Sequence, residues 1–174
     1  GVPGEVYLSD WKGFGDHGGK IGSRTESLRN CDGKAEYAWV IDADDYIEVG
    51  EKGFAWPEVM DATSYVLRIQ RGDFVWWRNQ VFKTGADVNW RYIGVIHEHA
   101  DCDVTEGRDT RKVEGDYYIV ARTMGFERNQ TQDHIQKYSR DAEILEEALK
   151  DEPENHRYMF YLAQSYFDSQ QWDK

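Results

Sequence analysis

The pattern of apolar and polar positions divides the chain into two unlike parts. In the first, short apolar runs alternate with charged and glycine-rich stretches. Glu5-Val6-Tyr7-Leu8, bounded by Gly4 and Ser9-Asp10, predicts a strand. Gly13, Gly15, Gly18, Gly19 and Gly22 make a loop, and Ser23 to Cys31 follows as a helix with Ser23 as N-cap and Glu26 three residues on. Tyr37-Ala38-Trp39-Val40-Ile41 is a continuous apolar run that breaks into Asp42-Ala43-Asp44-Asp45, the pattern of a buried central strand ending at an open sheet edge. Between Ser64 and Val120 the pattern is β, with strands at Tyr65–Ile69, Phe74–Trp77, Gln80–Phe82, Tyr92–His99 and Tyr117–Val120.

The character changes at Thr131. Ile135, Tyr138, Ala142, Leu145 and Leu149 recur at helical spacing among charged residues, which predicts an amphipathic helix of about five turns. Pro153 is expected to open a second helix carrying Met159, Leu162, Ala163 and Tyr166. That order of apolar, apolar, small and aromatic residues is similar to the first helix of a tetratricopeptide repeat (TPR). One such unit fits before Lys174, and repeats need neighbours to bury their faces, so the array is expected to continue in a longer chain. The organisation expected is an α/β domain over 1–128 and a C-terminal α-helical pair over 129–174.

Composition narrows the function classes. Hydrophobic residues make up 40% of the 174 positions and aromatics 14%, enough for a packed core. Lys plus Arg number 21 against 33 Asp plus Glu, a formal net charge of -12 that repels a polyphosphate backbone and argues against nucleic acid as a partner. A small diphosphate remains compatible, because a divalent cation can stand between it and an acidic protein. No apolar run approaches the roughly 18–20 residues of a membrane span. Cys31 and Cys102 are too few for a disulfide framework and read as packed thiols in a reducing, cytoplasmic compartment. Asn129-Gln130-Thr131 has the form of a glycosylation acceptor and, with no secretory signal, reads as chance.

The chemistry centres on Asp42-Ala43-Asp44. Two carboxylates two residues apart, just past a strand, can hold a hard divalent cation, Mn²⁺ or Mg²⁺, whose remaining ligands are phosphate oxygens and water. Ligands of α/β sheets collect at the carboxyl ends of strands, where this pair is placed. Asp45 reads as a turn residue.

Four stretches together with the repeat start resemble a known family. Tyr7-Leu8-Ser9-Asp10-Trp11 through Phe14 looks like a strand and loop of the family 2 glycosyltransferases of GT-A fold, in the subgroup followed by tetratricopeptide repeats. Arg24-Thr25-Glu26-Ser27-Leu28 looks like that family's Arg-Asn-x-x-Leu helix, with Thr25 in place of the usual Asn. Trp39-Val40-Ile41-Asp42-Ala43-Asp44-Asp45 matches its aspartate motif, Gly94-Val95-Ile96-His97-Glu98 resembles its Gly-x-x-His-Glu segment, and Asn155 to Tyr166 its repeat start. The family's first strand has no counterpart before Gly1, so part of the donor site is expected to be missing.

The resemblance implies a GT-A-like mixed sheet, Rossmann-like in binding nucleotide-sugars, and a metal-dependent, inverting sugar transfer. The donor would be a nucleoside-diphosphate-sugar, and the acceptor a hydroxyl of a carbohydrate, lipid or protein. On this reading Asp44, with Asp42, holds the metal, His97 is a third metal ligand, Arg24 binds the donor diphosphate, and Glu98 is the catalytic base. Successive strand residues point to opposite faces, so His97 and Glu98 can serve one site only if the strand breaks near Gly94. Two other readings stand beside it. His97 and His99, with Asp101, Asp103 and Glu106 nearby, could build a two-histidine-and-carboxylate metalloenzyme site. Alternatively, the helical segment is a binding adaptor on an inert support. Trp76, Trp77 and Trp90 read as core aromatics before sugar-stacking ones.

Overall fold

The structure is a computed structural model and describes residues 4–121 and 132–174. It is a mixed α/β fold with a curled mixed sheet and three helices. The strands are β1 (Tyr37–Trp39), β2 (Tyr46–Ala55), β3 (Ser64–Arg71), β4 (Phe74–Lys83), β5 (Arg91–Ile93), β6 (His99–Asp101), β7 (Thr110–Lys112) and β8 (Glu114–Val120). The helices are α1 (Ser23–Arg29), α2 (Gln132–Asp151) and α3 (His156–Asp168). The main sheet runs β1-β4-β3-β8-β2, and β5 and β6 form a separate antiparallel pair. Its mixed character comes from β3, which pairs antiparallel with β4 but parallel with β7 near Ser64 and with β8 near Ile69. The expected boundary at 128/129 and Asn129-Gln130-Thr131 lie outside the described residues.

Alternation on β3 explains the main core. Tyr65, Leu67 and Ile69 point to one face, where they meet Val81, Val113, Tyr117 and Ile119. Leu67, Ile69 and Ile119 have no exposed surface, and full burial of such side chains is worth about 1.5–3 kcal/mol each. A second cluster joins Leu28 of α1 to Ala38, Phe82, Val88, Trp90 and Tyr92. A third joins Leu145, Ala148 and Tyr158 of the helical pair to Ile96, so the helices pack on the chain that links β5 to β6.

Several elements differ from the sequence pattern. Phe74–Trp77 and Gln80–Phe82 belong to one ten-residue strand, whose register shifts opposite Tyr65 and Val66 and absorbs Gln80. Glu5–Leu8 is not a strand, and Val6 and Leu8 are exposed. The Tyr37–Ile41 run contributes only three strand residues at one end of the sheet, so Trp39 and Ile41 are exposed where a central strand would bury them. Ser23 does not cap α1. Its Oγ accepts from the Lys12 backbone N–H at 3.0 Å, and Gly22 occupies the cap position. Pro153 precedes α3 rather than opening it. Asn155 is the N-cap, its side chain accepting from the N–H groups of Arg157 and Tyr158 at 3.1 Å. Among the described residues no helix is long and apolar enough to cross a membrane.

Candidate functional site at the end of strand β1

Two backbone crossings bring the site together. Gly15 passes so close to the end of β5 that a Cβ there would lie 2.8 Å from the carbonyl oxygens of Tyr92 and Gly94. Gly22 in turn crosses Gly15, and a Cβ on Gly22 would collide with its backbone. The loop is pinned by Asp16 N–H to Tyr92 O at 2.6 Å and Gly94 N–H to Asp16 O at 3.0 Å. Thr25, fully buried, accepts the Tyr92 N–H at 2.9 Å. Helix α1 therefore starts directly against β5, and Arg24 lies between the end of β1 and the residues that follow β5.

Arg24 is the hub. Its Nη2 lies 2.7 Å from Oδ1 of Asp42 and its Nε 2.7 Å from Oε1 of Glu98. The guanidinium also lies 5.7 Å from the ring centroid of Tyr92 and 5.9 Å from that of Phe14. Oδ2 of Asp42 is taken by Nη2 of Arg78 at 3.2 Å, and the same nitrogen lies 3.7 Å from Asp45, beyond hydrogen-bond reach. Asp45 is only 4% exposed at its side chain, and no hydrogen bond reaches its Oδ2 among the described residues.

Electrostatics follow from this layout. Burial disfavours the charged Asp42 carboxylate, but Arg24 and Arg78 outweigh it and hold the group below the usual carboxylate range. Burial likewise works against Arg24, and Asp42 and Glu98 raise it nonetheless. Asp45 is raised, first by burial and then by Asp42, against the pull of Arg78. Burial pushes the Tyr92 hydroxyl up to about 12.

The chain leaves β geometry between β5 and β6, with φ of 116° at Gly94 and 51° at His97. This break turns the two neighbours apart. Glu98 meets Arg24, whereas the His97 ring stacks on Tyr161 of α3, centroids 4.2 Å apart and planes within 13°. Partial burial there lowers the His97 pKa, although Asp141 works the other way. The structure thus brings Arg24, Asp42 and Glu98 together. It leaves Asp44 exposed at the tip of the turn, with no hydrogen bond or ion pair on its carboxylate, and shows no contact between His97 and either aspartate among the described residues. His99 opens β6, while Asp101 and Asp103 are held by Arg108 at 2.7 Å and Arg91 at 2.5 Å. Among the described residues no three His, Cys, Asp or Glu side chains converge as a ready metal cage. A cation here would depend on two aspartates and on oxygens brought by a ligand.

Arg78 belongs to this candidate site without any signal in the sequence. It lies in the middle of β4 with no motif around it, and only the pairing of β4 with β1 carries it to Asp42. Beside this network an apolar groove of about 410 Å³ runs between α1 and β1, lined by Trp11, Phe14, Arg24, Leu28, Trp39 and Ile41 among others. No protein-family model and no curated protein matches the chain.

Proposed function

We propose that the end of β1 is the donor site of a metal-dependent glycosyltransferase that uses a nucleoside-diphosphate-sugar. The observation that carries this reading is Arg24 bridging Asp42, in the strand-terminal carboxylate pair, to Glu98. Carboxylates suited to a cation, a forked cation for phosphate and a carboxylate that can act as base once Arg24 leaves it come from three segments.

The donor set suits a hard cation. The unengaged carboxylate of Asp44, supported by Asp42, would hold Mn²⁺ or Mg²⁺. When bound, the ion would supply charge stabilisation to the departing nucleoside diphosphate. An incoming diphosphate competes with Asp42 and Glu98 for the Arg24 guanidinium, and Arg78 remains to neutralise Asp42 when Arg24 turns to phosphate. Glu98, released, takes the proton of the acceptor hydroxyl as its oxygen bonds to the anomeric carbon. The bond from that carbon to the phosphate oxygen breaks, and its electron pair leaves with the nucleoside diphosphate. Attack opposite the leaving group inverts the anomeric centre. His97 would join the metal only by giving up its stack on Tyr161.

The test is calorimetric titration of nucleoside diphosphates and their sugar conjugates in the presence of Mn²⁺ or Mg²⁺. Binding that needs the cation and disappears in Asp44→Asn is expected. The absence of cation-dependent binding across uridine, guanosine, adenosine, cytidine and thymidine diphosphates would overturn the reading.

A further inference from the structure

The segment that carries Glu98 is shaped by the helical pair as well as by the sheet. Strand β5 ends at Ile93 and β6 begins at His99, so no ladder holds the residues between them. His97 is nevertheless in the left-handed region, φ 51°, which residues other than glycine adopt uncommonly. Its surroundings come from α2 and α3. Ile96 is buried among Leu145, Ala148 and Tyr158. Nη2 of Arg157 donates to the His97 carbonyl oxygen at 2.7 Å, the Tyr161 ring lies flat on the His97 ring, and the Arg157 guanidinium is 5.0 Å from the Tyr161 centroid.

The same helices brace the other partner of the ion pair. The Tyr158 hydroxyl lies 3.2 Å from Nδ1 of His17, and that nitrogen is 3.0 Å from Oε1 of Glu152. His17 belongs to the glycine loop whose Asp16 side chain accepts the Gly22 N–H at 2.9 Å, two residues before Arg24. The helical pair therefore touches both segments that meet in the Arg24–Glu98 contact, yet none of the contacts described here joins it directly to Arg24, Asp42 or Glu98.

We propose that Arg157 and Tyr161 are positioning residues: by holding His97 in its left-handed turn, helix α3 aims Glu98 at Arg24 and so couples the helical pair to the proposed transfer site. The naming of Glu98 as base rests on the proposed function. The positioning itself does not.

The test uses the full chain, ¹⁵N-labelled, and reads the Arg24 Nε–Hε resonance, assigned by its loss in Arg24→Lys. Glu98→Gln supplies the position of that resonance when the pair is weakened. Arg157→Met and Tyr161→Leu are expected to move it toward the Glu98→Gln position. Arg157→Lys, which keeps a donor for the His97 carbonyl, is expected to restore most of the wild-type shift, a rescue that general loosening of the fold would not give. In transfer assays the same two variants should lower kcat about tenfold with donor KM little changed, the pattern of a displaced group acting in the transition state. An Arg24 resonance unmoved in a cooperatively melting variant overturns the proposal. If one variant fails to melt cooperatively, the other decides. Lack of turnover by the wild-type chain would count against the proposed function alone, because the resonance is read without substrate.

Discussion

Glu98 Oε1 lies 2.7 Å from Nε of Arg24, and the Glu98 side chain is only 14% exposed. A carboxylate so placed depends on its partner. Arg24→Met removes the cation shared by Glu98 and Asp42 and leaves Glu98 with an under-satisfied, largely buried oxygen. The expected cost is about 1–3 kcal/mol, read as a lower urea midpoint with unchanged slope. A midpoint equal to wild type would show that the contact contributes nothing net, as many exposed ion pairs do.

The carboxyl groups of Asp42 and Asp45 are shifted in opposite directions from their ordinary value. Asp42 is depressed in the folded chain, so the stability it contributes is present above the ordinary carboxylate value of about 3.9 and is lost as pH falls through its lower folded value. Asp42→Asn should therefore lower Tm by roughly 2–4 °C near pH 7, a gap that closes in acid. Asp45 is raised, so its contribution is present below the ordinary value and is lost as pH rises through the raised one. Asp45→Asn should raise Tm near neutrality and lose that advantage in acid. Melting curves from about pH 3 to pH 7 check both signs, and two variants shifted in the same direction would contradict the assignment.

How much of this was legible beforehand depended on what each residue faces. Helix α2 was readable because Ala142 and Leu145 are buried among charged neighbours. On α3 the buried positions are Tyr158 and Ser165, whereas Met159 and Ala163, expected on its apolar face, are exposed. Strand β2 was missed, since Tyr46 to Gly50 and Glu51 are exposed and show no alternation. The centrality of β1 was overread because continuous apolar character signals burial, whereas Trp39 and Ile41 lie exposed in this fold. Asp42, Arg24 and Glu98 were marked by motif. Their meeting in one ion-pair network was not, because it depends on the Gly15–Gly22 crossing and on the turn at His97. Arg78 had no local signal at all.

That crossing gives a third prediction. Gly22→Ala would drive a methyl into the Gly15 backbone, and neither strand of the crossing can yield without breaking the Asp16–Tyr92 and Asp16–Gly94 hydrogen bonds. Overpacking of this kind costs about 1–3 kcal/mol. Gly19→Ala serves as the comparison: a Cβ there meets nothing within 4 Å, so only the strain of its φ of 75° remains. Gly22→Ala should also weaken nucleoside diphosphate binding through displacement of Arg24, while Gly19→Ala should not.

Asp44 separates binding from stability. Its carboxylate is exposed and, among the described residues, engaged by no side chain, so Asp44→Asn should leave the melt within about 0.5 kcal/mol of wild type. Cation-dependent binding of a nucleoside diphosphate should fall at least tenfold in the same protein, because an amide is a much weaker ligand for Mn²⁺ or Mg²⁺ than a carboxylate. Calorimetry with and without the metal measures it, and unchanged affinity in a folded Asp44→Asn protein would remove this residue from the site.

Glu98 is expected to fail in a different way. The amide of Glu98→Gln matches the carboxylate in size, so packing beside Arg24 is retained while the ability to take a proton is lost. On the proposed function a bound diphosphate would draw Arg24 away from Glu98, so weakening the Arg24–Glu98 pair should leave donor affinity equal or slightly higher. The transfer step should slow by about 10²–10⁴-fold, the usual contribution of a positioned general base. A drop in kcat with unchanged or lower donor KM is the signature of an interaction made mainly in the transition state. His97→Ala gives the contrast. It removes the stack on Tyr161 and leaves the Glu98 carboxylate intact, so its kcat should fall less than that of Glu98→Gln. Should Glu98→Gln transfer sugar at the wild-type rate, the proton must go to another carboxylate, and the Arg24–Glu98 contact would be structural.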